Sequence, residues 1–224
     1  MRLSHVKRSV VVIAVALSLL LLACSGSDGD SEPVATQTQP APVPTTSLAP
    51  QLDSSTSLPG TYVEPHPGVD GVLDTDDDVD HFANGTVIPF CTPEQIAAKN
   101  YGDPLCYNSN PPTSGPHAQS PMPFQVLTAP APKENLVHNM EHGGVVVWYN
   151  TTDAAAIATL TQAVNDMLLS GQLVVMSRYV EMEPDTIALT SWTRLDKFAT
   201  GELSRQRVLE FVVNHQRRFN PEGF

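Results

Sequence analysis

The chain has 224 residues, with 12 Lys and Arg against 24 Asp and Glu, seven His and three Cys, for a formal net charge of −12. That balance excludes phosphate-led nucleic-acid binding and adhesion to anionic headgroups, both of which need positive charge. The length suffices for one sizeable domain plus a linker.

Arg2, Lys7 and Arg8 form a positive n-region, and Val10 to Leu22 is a run of 13 residues broken only by Ser18. A membrane span needs about 20 apolar residues, so this run has the length of a signal-peptide core instead. Leu21-Leu22-Ala23-Cys24 resembles the bacterial lipobox. The resemblance implies diacylation of the Cys24 thiol and cleavage before it, making residues 1–23 a lipoprotein signal peptide. The expected product is an extracytoplasmic domain, lipid-anchored to the cell membrane at Cys24, because two or three acyl chains hold a protein stably. Loss of Arg2, Lys7 and Arg8 with the leader leaves nine basic against 24 acidic residues, a formal charge of −15.

Residues 24–59 are dominated by Ser, Thr, Pro, Gln and Ala and contain no aromatic residue. Such a stretch buries too little apolar surface to offset its ordering entropy and reads as a disordered Ser/Thr/Pro-rich tether, with residues 60–224 as the globular domain. Asp70 to Asp80 holds six aspartates in 11 residues. Their alternation suggests a calcium loop, but the glycine and terminal glutamate of such a loop are missing, so a solvated acidic segment is the simpler account.

Residues 60 to about 135 are rich in Pro, Gly, Asn and Asp and predict irregular structure. With Cys24 acylated, Cys91 and Cys106 are the remaining cysteine pair, and an oxidising compartment predicts a disulfide between them. Tyr107 to His117 carries Pro111, Pro112, Gly115 and Pro116 and reads as a rigid loop that presents His117.

His138-Asn139-Met140-Glu141-His142 places two imidazoles four residues apart, with a carboxylate and a thioether between them. These are ligand types for a transition metal. The string also matches the inverted zinc-protease motif. Gly143-Gly144 and a β-type run follow directly, however, and no helical stripe precedes it, so the sequence favours a loop or a single turn. Histidines that merely order a loop through backbone hydrogen bonds are the competing account.

Val145 to Tyr149 reads as a buried strand, and Asp153 to Ser170 as a helix with Ile157, Leu160, Val164, Met167 and Leu168 on one stripe, capped by Thr152 and stopped at Gly171. Leu173–Ser177 and Thr186–Trp192 read as strands joined by a turn near Pro184-Asp185. Arg205 to Gln216 reads as a second amphipathic helix, with Val208, Phe211, Val212 and His215 inward. His215 is therefore expected as a satisfied core histidine, and His66 and His81, in Pro- or Asp-rich loops, are given no role. The order predicts an α+β fold: a small mixed sheet with two amphipathic helices and a long irregular, Pro/Gly-rich N-terminal half.

Three segments, 107–117, 137–149 and 187–192, resemble the signature segments of the DUF 3105 family, over a core of about residues 85–222. The name denotes a domain of unknown function, so the resemblance implies an exported or membrane-tethered domain and no activity. His117, His138, Glu141 and His142 fall at its motif positions.

The residues support a lipid-tethered domain that binds copper or zinc through His117, His138 and His142, with Glu141 or Met140; the thioether would favour Cu(I). Two other readings stay open: an interaction or scaffold module presenting the Pro-rich loop to an unidentified protein partner, and a metal-assisted hydrolase with Glu141 as base. No nucleophile elbow, phosphate-cradling loop or nucleotide fingerprint is present in the sequence.

Overall fold

The computed structural model describes residues 54–69 and 80–219. The expected signal peptide, Cys24, most of the expected tether and the aspartates at 70–78 lie outside the described residues. The fold is α+β. Strands β1 (Thr61–Tyr62), β4 (Val145–Asn150), β5 (Val174–Arg178), β6 (Thr186–Ser191) and β7 (Arg194–Ala199) form one mixed sheet in the order β1-β7-β6-β4-β5. Only β4 and β5 run parallel, joined by helix α3 (Ala154–Leu169); the other pairs are antiparallel.

The sheet is buried on both faces, which explains the unbroken apolar run at 145–149. Val145 and Val147 of β4, Val174 and Met176 of β5, and Ile187 and Leu189 of β6 pack against α3 and α4 (Arg205–His215). Val146, Trp148, Val175 and Ala188 point the other way, toward Leu136, Val137 and Met140 of helix α2 (Lys133–Glu141). Trp148 donates from its indole nitrogen to Thr190 Oγ1 at 2.7 Å, which satisfies the buried polar atom of its ring.

Both expected amphipathic helices are present, with one correction at the start of α3 and the expected stop at its end. Asp153 rather than Thr152 caps α3, its carboxylate accepting from the amides of Ala155 and Ala156 at 2.8 and 3.2 Å. Gly171, at φ +76°, stops the helix. Among the described residues two further helices appear, α1 (Pro93–Ala98) and α2, together with a two-stranded parallel ladder of β2 (His81–Phe82) and β3 (His117–Ala118). Strand β7 was also not expected. Thr193, at φ +61°, turns the chain back where the sequence reading let β6 run to Trp192.

Cys91 and Cys106 are disulfide-bonded and flanked by the Phe90–Tyr107 bridge, where the Cys91 amide donates to the Tyr107 carbonyl at 2.9 Å. The bond closes a 15-residue separation, which chain entropy values at about 3 kcal/mol. Cys91→Ser with Cys106→Ser is expected to lower the unfolding free energy by that amount, read from urea midpoints against the oxidised parent.

The segment before β1 is fastened to the domain. Arg194, 1% exposed, donates to the carbonyls of Ser55 and Gly60, and His215 Nε2 donates to the Pro59 carbonyl at 2.8 Å. His215 is thus the satisfied core histidine that the sequence suggests. Its burial, reinforced by the nearby Arg218 and Arg194 charges, lowers its pKa to about 4 despite the Pro59 hydrogen bond. The unfolded chain takes up this proton first, so the contribution is complete above pH 6.5 and is lost as the pH falls toward 4. About 3 kcal/mol should disappear across that window. His215→Gln should flatten this part of the stability profile in paired urea titrations; an unchanged slope would refute the assignment.

Candidate metal centre

Three elements converge beneath the Pro-rich loop. In the β2–β3 ladder His81 pairs with His117 and Phe82 with Ala118, with the His117 amide donating to the Asp80 carbonyl at 2.8 Å. This register sets two imidazoles opposite one another, with ring centroids 4.6 Å apart. Helix α2 lies against the ladder and supplies His138 and Glu141, which share a face at i, i+3.

All nine residues of α2 are buried, and its two asparagines are tied to the irregular segment that follows β3. Asn135 Nδ2 donates to the Ser120 carbonyl at 2.7 Å. Asn139 exchanges two hydrogen bonds with the Met122 backbone at 2.9 and 2.7 Å. These bonds explain why a helix stands where the sequence predicts a loop or single turn: its polar residues are satisfied by tertiary contacts, so no amphipathic stripe betrays it. Gly143, at φ +75°, ends it, and a Cβ at Gly144 would meet the Asn139 carbonyl at 2.5 Å.

Ligand atoms of His81, His117, His138 and Glu141 all lie within 4.8 Å of one another. Glu141 Oε2 stands 2.9 Å from His117 Nε2, 3.2 Å from His81 Nε2 and 3.9 Å from His138 Nε2. A tetrahedral zinc site with bonds of about 2.0–2.1 Å has donor–donor edges of roughly 3.3–3.4 Å, so these separations bracket that size. His117, His138 and Glu141 are buried, whereas the His81 side chain is 33% exposed and forms the solvent side.

The other ring nitrogens are held from outside. His117 Nδ1 faces the Gly115 carbonyl at 2.8 Å, and His138 Nδ1 faces the Ala118 carbonyl at 2.7 Å. A carbonyl only accepts, so both Nδ1 atoms are donors, and in the neutral tautomer both Nε2 lone pairs turn inward. Burial lowers the pKa of His138, outweighing its Ala118 hydrogen bond and the nearby Glu141 charge. Burial works to raise the Glu141 carboxyl, but the His117 hydrogen bond and the surrounding imidazoles outweigh it and hold the group below its usual range.

Of the residues singled out in the sequence, His117, His138 and Glu141 meet here. His142, at the C-cap of α2, places its Nε2 2.8 Å from His138 Nε2 but stands outside the group of four. Met140 requires correction as a candidate ligand. Two residues after His138 it points to the opposite side of the helix and is fully buried in the apolar cluster with Leu136 and Trp148. His81, given no role from sequence, takes the fourth position. Its placement depends on a pairing with residue 117 across a long separation, which leaves no local signal.

An α+β domain on a five-stranded mixed sheet, with three histidines and a carboxylate gathered between a buried helix and a parallel ladder, is the class that the fold and the site define. The chain belongs to the DUF3105 family, described as a protein of unknown function, whose sequence model matches residues 99–223. That match contains His117, His138, Glu141 and His142 and leaves His81 outside. No curated protein and no solved structure matches the chain.

Proposed function

We propose that the protein is a membrane-tethered, extracytoplasmic domain that binds one transition-metal ion, Zn(II) or its competitor Cu(II), through His81, His117, His138 and Glu141. The observation that carries this reading is the position of His117. Its Nδ1 donates to the Gly115 carbonyl, while its Nε2 lies 2.9 Å from the Glu141 carboxylate. A neutral imidazole has one proton and cannot donate on both sides, so a hydrogen bond from Nε2 to Glu141 as well would make the ring a buried imidazolium. A divalent ion between Nε2 and Oε2 would take the place of that second proton, binding nitrogen and carboxylate together. Three imidazoles and one carboxylate suit Zn(II), and the order of divalent affinities makes Cu(II) the rival. With Met140 turned into the core, the argument for Cu(I) falls away.

Glu141 then serves as a ligand, which removes the carboxylate base that the hydrolase alternative requires. The lipobox-like leader supports the location, as does the Cys91–Cys106 bond, which suits an oxidising compartment. Metabolic palmitate labelling with intact-mass analysis tests the anchor; an unmodified Cys24 with the leader attached would remove it.

For the metal, the chelator-stripped full chain is titrated calorimetrically with Zn(II) and Cu(II), beside His138→Ala and Glu141→Gln. One equivalent should bind to the parent, and each variant should lose at least about 100-fold in affinity, beyond the 10–100-fold that loss of an outer partner costs. Binding no tighter than that of an unfolded peptide carrying the same histidines would end the proposal.

A further inference from the structure

The four donors leave over one histidine of the 138–142 string. His142 is half-buried at the C-cap of α2, on the face of the helix that carries His138 four residues earlier. The two rings have centroids 4.6 Å apart, and their Nε2 atoms stand 2.8 Å from each other. His138 Nδ1 donates to the Ala118 carbonyl, so its Nε2 carries the lone pair and His142 Nε2–H is the donor of the contact between them. One lone pair cannot serve both a hydrogen bond and a metal ion. An ion that binds His138 therefore displaces the His142 proton from this contact, and the His142 ring has to leave or to join the ion.

The spacing of the donors argues for joining. At bonds of about 2.0–2.1 Å a tetrahedron has a single edge of roughly 3.3–3.4 Å, whereas ligands at right angles lie about 2.8–3.0 Å apart and opposed ligands about 4.0–4.2 Å. The separations here are 2.8 Å for His138–His142, 2.9 Å for His117–Glu141, 3.2 Å for His81–Glu141 and 3.9 Å for His138–Glu141. Two short edges beside one long edge fit five donors around an ion better than four. His142 stands outside the group of four, so its ring must swing inward, and like His81 it reaches solvent and has that freedom.

We propose that His142 is the fifth ligand, coordinating through Nε2 with its proton on Nδ1, and that the resulting set of four imidazoles and one carboxylate selects Cu(II) over Zn(II). Zn(II) has no geometric preference from its d-electrons and is satisfied by four donors, whereas Cu(II) takes tetragonal sets rich in nitrogen. The inference rests on the metal site proposed above and decides between its two ions.

The chelator-stripped full chain, His142→Ala and His142→Gln are titrated with Cu(II) and with Zn(II) against a competing chelator, and the Cu(II) forms are read by electron paramagnetic resonance. Gln keeps a hydrogen-bond donor toward His138 but offers the ion no imidazole. Both variants should lose at least about tenfold in Cu(II) affinity and much less in Zn(II) affinity. The parent's Cu(II) spectrum should be tetragonal and show one more coordinated nitrogen than either variant. Circular dichroism of the chelated proteins checks that the variants fold. His142→Gln binding Cu(II) as tightly as the parent would reduce His142 to a hydrogen-bond donor and overturn the proposal. Tighter Cu(II) binding by the variants would make His142 a competitor of the ion and overturn it too, and equal losses for the two ions would overturn the selectivity. A parent that binds neither ion ends the site itself, whereas a parent that binds both and is indifferent to position 142 ends this inference alone.

Discussion

Zn(II) at roughly a thousand times its dissociation constant is expected to raise the unfolding free energy of the chain by about 4 kcal/mol, and a chelator to remove all of it. The full linkage applies only if the ion binds the native state alone, and the origin of the four donors provides that condition. His81 comes from β2, His117 from β3, and His138 and Glu141 from α2. The unfolded chain has no means of holding residues 81, 117 and 138 together, so its affinity falls to that of the local His138–His142 pair. Glu141→Gln keeps the size of the side chain and deletes the charge at the centre of the cluster, and should remove most of the stabilisation. His81→Ala separates two geometries. If the ion sits among the four, this variant loses much of the gain; if it sits on His138 and His142 alone, the variant behaves as the parent. Urea midpoints with Zn(II) and with chelator read all three. Equal midpoints for the parent under both conditions would sink the idea.

What the sequence disclosed follows from which interactions are local. The α3 stripe and the apolar runs of β4, β5 and β6 are written in periodicity, because each element buries its own apolar residues against the sheet. Strand β7 offers only Leu195, Phe198 and the exposed Ala199 as apolar positions, and its burial is mixed. Helix α2 is the instructive miss. Its buried residues include Lys133, Glu134, Asn135, His138, Asn139 and Glu141, satisfied by partners that a hydrophobic pattern cannot register. The same blindness hid His81. His117, His138 and Glu141 were legible as ligand types within short motifs, whereas the fourth donor arrives by a two-residue ladder. Met140 failed for the opposite reason, since proximity in sequence is not proximity on a helix.

Gly115→Ala is expected to cost about 3 kcal/mol or more of stability and to weaken metal binding 10–100-fold. Two causes meet at this residue. Its φ of +108° strains any residue with a Cβ, and the added atom would stand 2.7 Å from Cγ of His66. That ring has nowhere to go. It is fully buried, its Nε2 donates to the Cys106 carbonyl at 2.9 Å, and its Nδ1 accepts from the Gly68 amide at 3.0 Å. The backbone of 114–117 must shift instead, taking with it the Gly115 carbonyl that fixes the His117 tautomer. Gly85→Ala is the control. Its φ is +91°, yet nothing lies within 4 Å of the added atom, so it should show backbone strain alone, about 1–2 kcal/mol, and leave affinity for the ion untouched. Urea unfolding and Zn(II) calorimetry on both variants separate strain from collision. Were Gly115→Ala no costlier than Gly85→Ala and equally tight for Zn(II), the carbonyl at 115 would have no hold on the imidazole, and the orientation of His117 would need another source.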